Sequence, residues 1–281
     1  MRHYLQCGRF GFTLERKALV MGVLNVTPDS FSDGGRFDSL EFALSRAEEM
    51  IADGVDLIDI GGESSRPGAP SLALDEELRR VMPVLYALRD LGRPLSIDTC
   101  KPDVMREAII AGADMINDIY GFRAPGALEA VRGSDCALCV MHMQNTPQTM
   151  QQQPLYVDVV EEVIAFLRER VAAMVAAGIE RERICVDPGF GFGKSTEHNY
   201  ELLRSLGRIE QELGLPVLAG VSRKSMIGAA TGRPVEQRLA GSLAGALAAL
   251  AHGAKIVRVH DVAETVDAFK VWQAAAIQSF Q

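Results

Sequence analysis

No stretch of this 281-residue chain is an apolar run of the roughly 18 residues that a membrane span needs, although 48% of its residues are apolar. The closest approach, Leu239 to Ala251, is rich in Ala and Gly, which suits close helix packing or a subunit contact better than lipid. The start, Met1-Arg2-His3-Tyr4, lacks the apolar centre of a secretory leader, so the sequence predicts a cytoplasmic protein. Cysteine is scarce and without ordered spacing. An odd count of five gives no disulfide framework and fits a reducing compartment. Cys136 and Cys139 form a single Cys-x-x-Cys pair, but a predicted strand puts their side chains on opposite faces, so both are expected in the core. Basic residues are outnumbered, 29 against 37 acidic, and the net charge of −8 disfavours non-specific attraction to nucleic acid or anionic lipid. Any anionic ligand must meet a local basic cluster. No Pro/Gly/Ser linker or charge block interrupts the chain, which predicts one domain over residues 1–281 with residues 1–18 as an N-terminal extension.

What the chain does have is a rhythm of short apolar runs that end in polar residues. They are Leu19 to Leu24, Val55 to Ile60, Pro94 to Ile97, Met115 to Ile116, Ala137 to Met141, Ile184 to Val186, Leu215 to Val221 and Lys255 to Val259. Amphipathic helical stretches follow all but one clearly. Near-continuous apolar strands alternating with helices make a parallel sheet covered on both faces. Eight such units predict an α/β fold, a (β/α)8 TIM barrel, whose active site lies at the C-terminal ends of the strands. Tyr4 to Gln6 and Phe10 to Leu14, joined near Gly8, are expected to pair as a short β-hairpin plugging the opposite mouth.

The run ends carry the candidate chemistry. Asn25, Glu63 with Arg66, Asp98, Asn117 with Asp118, His142, Asp187, Ser222 with Arg223 and Lys224, and Arg258 with His260 follow the runs in order. Arg258 and His260 alternate onto one face, where barrels commonly bind phosphate, and predict an anion pocket. His142 reads as structural, or as a support behind the site, rather than as catalytic. Asp98, Asn117 and Asp187 can converge as acceptors around a heterocycle edge such as a 2-amino-4-oxo-pyrimidine; the competing reading is a structural ion-pair network with Lys224. The segment Asp187-Pro188-Gly189-Phe190-Gly191-Phe192-Gly193-Lys194-Ser195 ends like a P-loop, but Pro188 stands where that motif needs a glycine and has no N–H to offer. Its glycines instead predict a flexible loop that brings Phe190 and Phe192 over a ligand. Two further polar, turn-prone loops, Thr27 to Gly35 and Gly61 to Gly68, carry Phe31, Asp33 and Arg66 and can close over the same mouth to exclude water.

These residues closely resemble the dihydropteroate synthases, pterin-binding enzymes of folate biosynthesis that sulfonamides inhibit. Two long signatures carry the resemblance: Gly22-Val23-Leu24-Asn25-Val26-Thr27-Pro28-Asp29-Ser30-Phe31-Ser32-Asp33-Gly34-Gly35 and Asp59-Ile60-Gly61-Gly62-Glu63-Ser64-Ser65-Arg66-Pro67-Gly68-Ala69. Shorter matches surround Asp98, Asn117, Asp187, Lys224 and Arg258. The resemblance implies a transferase condensing 6-hydroxymethyl-7,8-dihydropterin diphosphate with 4-aminobenzoate. Asp98, Asn117, Asp187 and Lys224 would then bind the pterin, with Met141 or Met143 nearby. Asn25, Arg258 and His260 would hold the diphosphate, with Asn25 also touching Mg²⁺, and Ser65, Arg66, Pro67, Phe31, Phe192 and Ser222 would shape the aminobenzoate site. Asn25, Lys224, Arg258 and His260 are the expected catalytic set. The family also implies a homodimer, with Leu239 to Ala251 as the candidate surface. Ser65 stands where the family usually has Thr, and Cys100 where it usually has Ser. Two other functions share a pterin pocket: a methyltetrahydrofolate-dependent corrinoid methyltransferase, which needs no diphosphate site, and a non-catalytic pterin-binding paralogue.

Overall fold

The computed structural model describes residues 4–15, 18–26, 36–63, 71–145, 150 and 154–276. The apolar runs form the parallel strands β3 (Leu19–Asn25), β4 (Leu57–Gly61), β5 (Leu95–Asp98), β6 (Met115–Asp118), β7 (Ala137–Met141), β8 (Ile184–Asp187), β9 (Leu218–Ala219) and β10 (Ile256–Val259). Their order is β8-β7-β6-β5-β4-β3-β10-β9, and a parallel bridge between Val186 and Val217 joins the two edges. The expected barrel is therefore formed. The seventh run makes the shortest strand, because Pro216 lacks an N–H and only its carbonyl joins the ladder, accepting from Val186 at 3.0 Å.

Between the strands run α1 (Arg36–Ala52), α2 (Leu74–Leu88), α3 (Pro102–Ala111), α4 (Ala127–Val131), α5 (Val159–Ala176), α6 (Thr196–Arg204), α7 (Leu206–Leu213), α8 (Ser225–Thr231) and α9 (Leu239–Ala251), and α10 (Val262–Ala276) follows the last strand. Good N-terminal signals start several of them. Pro102 opens α3, where its missing N–H costs nothing, and the Asp158 carboxylate caps α5 by accepting from Val160 and Glu161. None of the described helices is long and apolar enough to cross a membrane.

Strand parity divides the molecule into two cores. Ile58, Ile60, Ile97, Ile116, Leu138, Val140 and Val186 point outward to the helices, in the larger buried cluster. Leu19, Met21, Leu57, Met115, Ala137, Cys139, Cys185, Leu218 and Ile256 point inward near the strand starts and form a second cluster. The hairpin closes this inner core. β1 (Tyr4–Cys7) and β2 (Phe10–Thr13) pair antiparallel, and Leu5, Cys7 and Leu14 are buried against the inner layer. Cys136 donates its thiol to the Ala113 carbonyl at 2.8 Å while Cys139 faces the barrel axis, so both are core residues, and all five thiols are free.

One carboxylate fastens the plug. Asp114, fully buried, accepts from the Arg9 backbone at 3.2 Å, from Arg9 Nε and Nη2 at 3.0 Å, and from the Leu95 N–H at 3.1 Å. The turn before it needs glycine: Gly8 has φ +53, and a Cβ there would lie 2.5 Å from Asp114 Oδ1. Asp114→Ala leaves the buried Leu95 amide unpaired and frees Arg9. We expect a loss of about 2–4 kcal/mol of stability in urea unfolding; a loss below about 1 kcal/mol would show that apolar packing alone seats the hairpin.

Candidate active site

Above the apolar layers the inward positions turn polar. Parity along β4 places Asp59 above Leu57, along β5 it places Asp98 above Ser96, and along β6 it places Asn117 above Met115. In register, Asp98 lies beside Asn117 and Met141 beside Asp187. With β9 and β10 contributing from the other side, one cleft is lined by Asp98, Asn117, Met141, Asp187, Phe192, Ser222, Lys224, Arg258 and His260, together with Ile119 and Gly220. The expected pterin residues Asp98, Asn117, Asp187 and Lys224 thus share a single mouth with Arg258 and His260 of the expected anion pocket.

Its floor is an ion network centred on Arg258. The guanidinium donates through Nε to Asp59 Oδ2 at 2.6 Å and through Nη2 to Asp98 Oδ2 at 3.0 Å, and Asn117 Nδ2 donates to the same Asp59 oxygen at 3.1 Å. The network considered from the sequence had Lys224 as its cation; in the structure Arg258 holds Asp98, while Lys224 acts on Asp187. Asp59, absent from the candidate residues, was detectable as the carboxylate of the run Val55 to Ile60 that shares the parity of inward-facing Leu57, unlike Asp56. Its Oδ1 has no hydrogen-bond partner among the described residues. Burial pushes the Asp98 carboxyl up from its ordinary range while Arg258 opposes the rise, and the neighbouring carboxylates hold Arg258 firmly charged against its own burial.

Asp187 and Lys224 form the second half of the cleft. Burial raises Asp187 although Lys224 and the Gly189 N–H, 2.7 Å away, favour its charged form. Burial lowers Lys224 to about 8 against the attraction of Asp187. The Lys224 ammonium donates to the Phe190 carbonyl and sits 4.4 Å from the centre of the Phe192 ring, a cation–π contact. His260 Nδ1 lies 3.1 Å from Ser222 Oγ, and burial together with Arg258 lowers this imidazole to about 4, so it is neutral at pH 7.

The loop after β8 departs from expectation. Phe192 lines the cleft, packing with Met141, Met143 and Met150, but the Phe190 ring is buried in the outer core and cannot cover a ligand. Nor is the loop loosely held. Gly189 has φ +73, and a Cβ there would meet the His142 carbonyl at 1.9 Å. Lys194, the lysine of the rejected P-loop, turns inward; its Nζ is 3.0 Å from His142 Nδ1 and donates to the Gly189 and Phe192 carbonyls at 3.0 and 2.9 Å. His142 is structural, as expected. Asp118 is also structural, accepting from the Tyr120 and Phe122 amides at 2.7 Å. Glu63 pairs with Lys101 and accepts from the Leu72 N–H at 3.2 Å. Asn25 ends β3 beside Gly61, where a Cβ would stand 3.4 Å from Asn25 Oδ1 and 3.9 Å from Asp98 Oδ2; it does not line the cleft itself. Phe31, Asp33, Ser65, Arg66 and Pro67 lie outside the described residues.

This geometry can be set beside known proteins. The family model for pterin binding enzymes matches residues 21–260. The chain belongs to the pterin-binding enzymes. A dihydropteroate synthase of Haemophilus influenzae is 53% identical over 258 residues, covering 92% of this chain and 94% of that protein. The crystal structure of Burkholderia cenocepacia dihydropteroate synthase complexed with 7,8-dihydropteroate superposes with a TM-score of 0.90 at 56% identity, covering 98% of this chain and 97% of the other. The Xanthomonas albilineans dihydropteroate synthase with 4-aminobenzoic acid gives a TM-score of 0.92 at 51% identity, covering 99% and 100%.

The buried His142–Lys194 pair has a pH signature. Burial and then Lys194 hold His142 well below its ordinary range, so below pH 6.5 the unfolded chain takes up a proton that the folded one refuses. Stability from this group is present above pH 6.5 and is lost as the pH falls. The stability gap between the native protein and His142→Gln should therefore narrow below pH 6.5, by up to about 1.4 kcal/mol per pH unit. Urea unfolding at pH 5, 6 and 7 measures it, and parallel profiles would refute a neutral His142.

Proposed function

We propose that this chain is a dihydropteroate synthase, joining 6-hydroxymethyl-7,8-dihydropterin diphosphate to 4-aminobenzoate to give 7,8-dihydropteroate and diphosphate. The observation that carries the reading is the convergence of Asp98, Asn117, Asp187 and Lys224 with Arg258 and His260 in one cleft. Close relatives bound to 7,8-dihydropteroate and to 4-aminobenzoic acid support the same substrates.

The acceptors Asp187 and Asn117 suit the paired N–H donors of the pterin edge, and the Lys224 ammonium suits its carbonyl oxygen. Arg258 spends Nε and Nη2 on Asp59 and Asp98, which aims the remaining edge of the fork at the phosphate side. When the C–O bond of the pterin methylene breaks, its electron pair leaves with the diphosphate and the ring delocalises the positive charge. Asp98 and Asp187 favour that cation, while Arg258 and the His260 N–H favour the departing anion, contributions that grow towards the transition state. The aromatic amine then attacks the methylene and loses a proton. We assign Ser222 and Phe192, with Phe31, Ser65, Arg66 and Pro67, to the aminobenzoate side.

Mg²⁺ fits this scheme as a companion of the diphosphate. No cluster of three or more His, Cys, Asp or Glu side chains able to hold a metal occurs among the described residues. The chain offers the Asn25 amide oxygen beside Asp98, and a hard cation there would be held mostly by phosphate oxygens and water. Bound so, it would neutralise charge on the leaving group. We also read the chain as one cytoplasmic pterin-binding domain that acts as a homodimer through α9, which exposes Leu239 and packs on α10, whose Val271 and Trp272 are also exposed.

Diphosphate release measured with the pterin diphosphate and Mg²⁺, with and without 4-aminobenzoate, tests the reading. Release should be coupled to dihydropteroate formation. Pterin binding without product would identify a non-catalytic paralogue. Asp59→Asn, which weakens the seat of Arg258, should lower kcat/KM by about 10- to 100-fold, the worth of a charged hydrogen bond. Unchanged turnover would remove Asp59 from the site.

A further inference from the structure

The turn between Ser222 and Lys224 passes through a backbone conformation that its sequence does not favour. Arg223 has φ +59, a left-handed value that costs a long-chain residue conformational energy and that only Phe122 and Asn145 share among the described non-glycine residues. Its two neighbours both line the cleft.

Something must hold Arg223 there, and the structure shows what. Arg238, just before α9, donates through Nη1 to the Arg223 carbonyl at 3.0 Å and towards the Lys224 carbonyl at 3.5 Å, while its Nε donates to the Arg233 carbonyl at 3.0 Å. On the other side the Arg223 N–H donates to Ser242 Oγ at 2.9 Å, and that hydroxyl donates to the Arg238 carbonyl at 2.7 Å. Both backbone polar groups of the strained residue are thus claimed by Arg238 and the turn of helix it begins. The guanidinium lies flat on the backbone of α8, where a Cβ on Gly228 would meet Arg238 Nη2 at 2.2 Å, so the chain has left bare backbone where this side chain passes. The Arg223 side chain turns outward to Asp261.

We propose that Arg238 is a positioning residue for the condensation: it clamps Arg223 in its left-handed conformation and thereby sets Ser222 and Lys224 at the cleft. The inference rests on the synthase reading for its activity measure. Without the clamp, Arg223 relaxes towards negative φ, which swings the peptide planes on either side. Lys224 then leaves the Phe190 carbonyl and the Phe192 ring, and Ser222 leaves His260. A glycine at position 223 adopts positive φ without strain and makes the clamp dispensable.

The test is a double-mutant cycle of Arg238→Ala and Arg223→Gly, with kcat and KM for the pterin diphosphate and thermal unfolding measured on the native protein, both single variants and the double variant. Arg238→Ala should lower kcat/KM by about 10- to 100-fold, the scale of an ångström-sized misplacement. Arg223→Gly loses the ion pair with the partly buried Asp261, on the side of the turn away from the cleft, and should stay within about threefold of the native protein in kcat/KM. The double variant should recover to within about threefold as well, because the strain it relieves is the strain Arg238 held. A merely structural Arg238 predicts no rescue. A double variant as poor as Arg238→Ala, or an Arg238→Ala protein with native kinetics, overturns the proposal. Should Arg238→Ala fail to fold, Arg238→Lys keeps the charge without the planar fork and carries the same comparison. Absence of turnover in the native protein would instead defeat the synthase reading, and the same cycle read as pterin affinity by calorimetry would still decide the role of Arg238.

Discussion

A guanidinium placed between two carboxylates inside a barrel constrains everything around it. Arg258 reaches Asp59 and Asp98, which arrive on different strands and are separated from it by 199 and 160 positions in sequence. The guanidinium offsets the cost of burying both carboxylates, and removing one partner of such a pair typically costs about 3–5 kcal/mol. The strand ends are therefore tied across the barrel at the level where the interior changes from apolar to polar. Asn117 joins through Asp59, so the floor of the cleft is one connected unit rather than a set of independent side chains.

The apolar layer below that floor has its own part in the chemistry. Met21, Leu57, Met115, Cys139, Cys185 and Ile256, closed off by Leu5 and Cys7 of the hairpin, keep water away from the underside of the ion network. Electrostatic interactions in such surroundings are stronger than at a surface, which is why burial moves Asp187, Lys224 and His260 from their ordinary ranges. A charged intermediate above this floor meets groups already fixed in place, with little solvent reorganisation. The glycine loop after β8 completes the wall because Lys194, itself buried, supplies the donors that its carbonyls need.

Much of this was legible in the chain. Apolar runs ending in polar residues marked the barrel and its chemical end, and the parity of Arg258 and His260 put them on one face. Strand parity also separates Asp59 from Ile58 and Ile60, so this residue was readable, though it must be told apart from Asp56 in the same run. Phe190 shows the limit: two residues from Phe192 in the same glycine loop, it enters the outer core, and nothing in a Gly-Phe-Gly-Phe-Gly pattern distinguishes the two rings.

The sequence by itself determined which residues stand at the strand ends and which way each points, because the two-residue period of a strand is a local property of the backbone. The tertiary structure decided which of them meet. Arg258 rather than Lys224 binds the floor carboxylates because barrel closure brings β10 next to β3, within reach of β4 and β5, while Lys224 lies across the mouth beside Phe190 and Phe192. Lys194 turns inward because three acceptors converge around it only when the β8 loop packs on the end of β7. Those distances depend on how the sheet closes, and closure is a property of all eight strands together.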